Sequence, residues 1–177
     1  GQYFQNAGRA ICEAAATTTK GGSAFRRKSS SGLLHDVGIA LIDMGDGWND
    51  WETVTYAARE ASLSMELLAR STTTRRDHPD GKNNELQQAY AGVAVELEIL
   101  SNLPSRLTPP LQLQLGPSKL RGLAVRLEKV QMVLLKDNKK LSQAFGEAAQ
   151  SVQALERSQQ EHRSSFFSFW RDRQRQP

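Results

Sequence analysis

Side chains that commonly carry chemistry are thinly spread in this chain: three histidines, one cysteine and nineteen acids. His35 is followed directly by Asp36, but adjacent residues of a helix do not face one another, so the pair is no acid–base couple. His78 falls among turn formers and His162 on an apolar repeat. There is no HExxH and no His/Cys spacing of the kind that holds zinc. Cys12 alone excludes an intramolecular disulfide framework, and a single thiol fits a reducing compartment. The glycines never form GxxxxGK[ST], a GxGxxG after a strand, or a GxSxG elbow, so nothing points to nucleotide binding or acyl transfer. The string Asp43-Met44-Gly45-Asp46-Gly47-Trp48-Asn49-Asp50 places acids among glycines as a calcium loop does. Such a loop needs oxygen ligands at its third and fifth positions, and counted from Asp43 those are Gly45 and Gly47. The reading is therefore non-enzymatic, with no catalytic residue, metal or cofactor.

Basic and aromatic residues offer a second kind of chemistry. Residues 1–32 hold five bases against one acid and are rich in Ala, Thr, Ser and Gly. They read as a basic, flexible N-terminal arm or a short amphipathic helix, ending in Arg26, Arg27 and Lys28, with a composition shared by transit peptides. Lys136, Lys139 and Lys140 form a second basic cluster at helical spacing. Near the C-terminus Phe166, Phe167, Phe169 and Trp170 precede Arg171, Arg173 and Arg175. That string suits the last turns of a packed helix, a membrane-interfacial end, or stacking and phosphate contacts to nucleic acid. Packing is the first choice, because aromatic stripes at helical spacing usually face a core. Arg26, Arg27, Lys28, Lys136, Lys139, Lys140, Arg171 and Arg173 are the candidate contacts to an anionic surface.

The elements that would position these residues are helical. The chain has 177 residues, 38% hydrophobic and 24% charged, with a net charge of +4. That suits one domain with its own core. No apolar run approaches the length of a membrane span. Residues 33–70 carry an apolar or small residue every three or four positions, from Leu34 through Trp48 and Trp51 to Ala69. This predicts a helix capped by Ser31 and kinked or broken at Gly45 and Gly47. The two tryptophans read as core packing at that break, with a partner-binding patch as the alternative. Residues 71–84 read as a connector, 85–103 as a second helix stopped by Pro104, and 104–117 as a proline-rich loop.

The strongest pattern lies at 118–173, where Leu120, Leu127, Leu134, Leu141, Ala148, Leu155, His162 and Phe169 recur at sevens. This predicts one continuous helix of about 56 residues, roughly 84 Å long at 1.5 Å per residue. Leu120, Leu127, Leu134, Leu141, Leu155, Phe166, Phe169 and Trp170 form its seam. A compact domain of this size has no interior so long, which predicts self-association or a helical protein partner. Residues 33–70 carry seven acids and two bases, whereas 118–146 carry seven bases and two acids. Opposite charge favours antiparallel pairing of those two helices.

Long basic heptad helices behind a basic arm resemble a BAR-type domain, a dimer of antiparallel helical coiled coils that binds and curves acidic membranes. The similar strings are Gly32-Leu33-Leu34 through Met44-Gly45-Asp46, and Leu107-Thr108-Pro109-Pro110-Leu111 leading into the basic run from Lys119 to Lys140. The resemblance covers residues 33–141. The expected fold is all-α: an extended antiparallel helical bundle or coiled coil over 33–177, with one long C-terminal helix. The expected function is a helical scaffold that oligomerises through its seams and binds anionic membrane surfaces. The alternative is an adaptor or complex subunit that docks a protein partner without touching lipid. Nucleic acid is not an expected partner, despite a pI of about 9.4. The expected setting is intracellular, cytoplasmic or at a membrane surface, with organelle targeting open.

Overall fold

A computed structural model describes residues 1–18, 29–48, 50–73, 82–102 and 117–173, with 162–173 as backbone only. All its regular elements are helices: α1 (Gln2–Thr18), α2 (Ser30–Asp46), α3 (Trp51–Thr73), α4 (Lys82–Ser101), α5 (Pro117–Leu134) and α6 (Lys139–Arg173). The chain is all-α, as the periodicity dictates.

Each helix packs on its neighbours in sequence, and α6 packs on α1, so spatial order follows chain order and the cycle closes. One apolar core lies within it, with Phe4, Met44, Met65, Leu97, Leu120 and Phe145 among its members. Tyr90 of α4 and Phe145 of α6 meet there, their ring centroids 6.1 Å apart.

Local chemistry explains the ends of the elements. Ser29, not Ser31, caps α2, its hydroxyl accepting from the Gly32 N–H at 3.2 Å. After Asp46 the chain turns: the Gly47 N–H donates to the Asp43 carbonyl at 2.8 Å. Asp50 then caps α3, accepting from the Glu52 N–H at 3.3 Å and from the Thr53 hydroxyl. That hydroxyl bond is the chief cause holding the Asp50 carboxyl below its usual range. The break expected at the glycines is thus present, and α2 and α3 fold against each other across it. Trp48 is buried with its ring 5.5 Å from that of Phe4, and Trp51 is half-buried against the core. Helix α4 ends at Ser101, three residues before Pro104.

Of the two readings of the N-terminal stretch, residues 2–18 are not a flexible arm but the amphipathic helix. They form α1, which buries Phe4, Ala7, Ile11, Ala14 and Ala15. Small residues permit this. Gly8 lies against Gly38 and Gly1 against Gly45, so closely that a Cβ on Gly38 would stand 2.8 Å from the Gly8 carbonyl oxygen. The 118–173 segment is likewise not one rod. It ends as α5 at Leu134, turns over residues 135–138 and returns as α6. Leu134 accepts N–H bonds from Asp137 and Asn138, and the Asn138 side chain caps α6 by accepting from the Leu141 N–H at 3.1 Å. Folding back lets Leu120, Leu127 and Leu134 of α5 and Leu141 and Leu155 of α6 leave water within one chain.

Candidate functional site

The α5–α6 hairpin settles where the seam leucines lie. Leu120, Leu127, Leu134, Leu141 and Leu155 are all buried, at 0–6% exposure, by the chain's own helices. Within the single chain these side chains therefore pack against its own helices. Phe166, Phe169, Trp170, Arg171 and Arg173 fall on the backbone of α6, and their side chains lie outside the described residues, as do Arg26, Arg27 and Lys28 entirely.

Pairing between acidic and basic helices also differs from expectation. Helices α2 and α3 pack on α1, α4 and each other, and α5 packs on α4 and α6. The arginines of α5 accordingly find acids on those neighbours. Arg121 contacts Glu156 of α6 at 2.9 Å, and Arg126 stands 3.6 Å from Glu96 of α4. Glu156 is buried, so Arg121 supplies the charge partner a desolvated carboxylate requires.

Lys136, Lys139 and Lys140 are brought together at the α5–α6 turn, all three exposed. Lys139 and Lys140 occupy the first turn of α6, which contains no acid. A helix N-terminus carries positive partial charge, so each lysine there is unfavourable by about 0.3–1 kcal/mol and an approaching anion is favoured. Asp137, also exposed, is the one opposing charge in the turn. Beside the lysines stand two large apolar side chains, Met132 at 66% and Leu135 at 49% exposure. Sequence reasoning missed these two. Their signal was that both fall off the seven-residue stripe carrying the buried leucines, next to the basic run.

A second surface lies between α2 and α3. An open groove of about 530 Å³ is lined by residues of both helices, with Ala40 and Ala57 as buried small residues on facing sides. His35 and Asp36 lie at this groove. Cys12 is half-buried with its Sγ 3.6 Å from the His35 carbonyl oxygen, and burial, then the charge of Glu13, pushes its thiol above the usual value. Among the described residues no group of three or more His, Cys, Asp or Glu could hold a metal ion, and no helix is long and apolar enough to cross a membrane.

Compared with protein-family models, with curated proteins and with solved structures, the chain matches none.

Proposed function

We propose that the protein is a non-enzymatic helical scaffold that contacts anionic membrane surfaces through the α5–α6 turn. The observation that supports this is the juxtaposition of exposed Lys136, Lys139 and Lys140 with exposed Met132 and Leu135. Bases draw the turn to acidic headgroups, and the two apolar side chains enter the headgroup boundary. Three lysines less one aspartate give about 2 kcal/mol near such a surface, a gain of roughly thirtyfold in partitioning. This keeps the anionic contact expected from the BAR-type resemblance and drops the seam as its means of assembly.

Vesicle co-sedimentation tests it. Vesicles with about one-third phosphatidylserine should retain the protein at low salt, pure phosphatidylcholine vesicles should not, and binding should fade as ionic strength rises. Replacing Lys136, Lys139 and Lys140 together by Glu should abolish binding with helicity unchanged, because the side chains are exposed. Met132→Ser with Leu135→Ser should weaken binding without altering its salt dependence. Wild-type protein that ignores the anionic vesicles at low salt overturns the proposal.

A further inference from the structure

Helices α2 and α3 leave a trough of small residues between them, and the chemistry along it is one-sided. Four of its lining residues are acids: Asp36, Asp43, Asp46 and Glu60. Among the described residues the lining contains no Lys or Arg. Asp46 is held at the rim, where Gln5 of α1 donates to its Oδ1 at 2.6 Å. Between the acids stand two large apolar side chains that the fold leaves in water, Ile39 at 42% and Tyr56 at 67% exposure.

The apolar surface continues beyond the groove. Leu63 and Leu67 follow Tyr56 on α3 at seven and eleven residues, which returns them to one face of the helix. They too are exposed, at 47% and 50%. The stripe from Tyr56 to Leu67 is about 16 Å long at 1.5 Å per residue, three turns of a partner helix. Scattered exposed hydrophobes need no explanation, but three on one face beside an apolar-floored groove form a contiguous surface of the kind that binds a partner.

We propose that the α2–α3 groove docks a basic amphipathic helix of a partner protein. The partner's apolar stripe lies over Ile39, Tyr56 and the α3 leucines. Its Lys or Arg side chains flank that stripe and meet the carboxylates of Asp43, Asp46 and Glu60. Charge complementarity selects the occupant: an acidic or neutral helix would leave the carboxylates facing no counter-charge as the groove loses water, whereas a basic one supplies it. This surface is separate from the α5–α6 turn, so its test is independent of lipid.

The probe is a synthetic amphipathic helix of about four turns with leucines at i, i+3, i+4 and i+7 and lysines on the flanks. Fluorescence anisotropy should show it binding wild-type protein, with amide shifts confined to α2 and α3. Asp43→Lys with Glu60→Lys should weaken binding by about tenfold or more. Ile39→Ser with Tyr56→Ser should do the same, and both pairs replace exposed side chains, so the melting curve should be preserved. The Lys136, Lys139 and Lys140 reversal should leave peptide binding intact. A peptide of equal charge with its leucines scattered round the helix should bind far more weakly. Equal binding of the scattered peptide, unchanged binding by both groove variants, or no binding at all overturns the proposal. So does light scattering in which the groove variants turn a dimer into a monomer, because the occupant is then a second copy of this chain.

Discussion

Leu134 and Met132 stand two residues apart on α5 and meet opposite environments. Leu134 is 5% exposed and Met132 66%. Leu134→Ala removes buried methyl groups and leaves a void, which costs about 2–5 kcal/mol. Met132→Ala removes little from the core and should stay within about 0.5 kcal/mol. Urea unfolding of both variants checks the contrast. Tyr90 gives a pH-dependent counterpart. It is 3% exposed, and burial raises its phenol well above the ordinary value of 10.0. Below that ordinary value the phenol is neutral in both folded and unfolded chains, and its contribution to stability is fully present. Above it the unfolded chain releases the proton first, so stability falls as pH rises toward the folded value, by up to about 1.4 kcal/mol per pH unit. Tyr90→Phe should therefore match wild type at neutral pH and lose stability less steeply above pH 10. Unfolding free energy measured across the alkaline range checks this.

At the scale of elements, α1 and α2 show that spacing is informative even for residues that bury nothing themselves. Gly1 and Gly8 are seven residues apart, as are Gly38 and Gly45, and the two pairs face each other across the helix contact. A helix interior ordinarily gains up to about 1 kcal/mol from Gly→Ala. Here the added methyl meets backbone: a Cβ on Gly8 would stand 2.9 Å from the Ile42 nitrogen, and one on Gly38 would stand 2.8 Å from the Gly8 carbonyl oxygen. Backbone cannot swing aside as a flexible side chain does, so overpacking outweighs propensity. Gly8→Ala and Gly38→Ala should each destabilise by about 1–3 kcal/mol. The double variant should cost less than their sum, because the first substitution already parts the helices. Thermal melts of the two single variants and the double variant would show it.

At the scale of the whole molecule, the contact of α6 with α1 joins the last helix to the first. Residues 1–18 are therefore structural. Deleting them removes Phe4 and Ile11 from the core and bares the faces of α2 and α6 that they covered. The shortened chain should bind a dye that reports exposed apolar surface and should melt over a broad range rather than cooperatively. Full cooperativity after the deletion would mean that α2 to α6 bury a sufficient core alone. Arg121 and Glu156 also belong to this scale. They are thirty-five residues apart and meet because the chain reverses between them.

Several features were legible in the sequence because they are local. The periodicity of apolar residues fixes helices, and it identifies Leu120, Leu127, Leu134, Leu141 and Leu155 as buried. Pro104 sets the end of α4 to within three residues, and Gly47 marks the break before α3. The lysines at 136, 139 and 140 were legible as a basic cluster because they are close in the chain. What the tertiary structure decided is which surfaces meet. A seven-residue repeat states that one face leaves water but not what covers it. The repeat runs through Leu134 and Leu141 in unbroken register although the chain reverses between them. The five polar residues from Lys136 to Lys140 mark that reversal, but only the gain from covering both halves of the stripe at once makes a hairpin better than a rod. The same competition for apolar cover draws residues 2–18 into the core, pairs α5 with α4 and α6 rather than with the acidic helices, and leaves Met132, Leu135, Ile39 and Tyr56 outside. Burial is a property of the whole set of faces, and no window of sequence contains it.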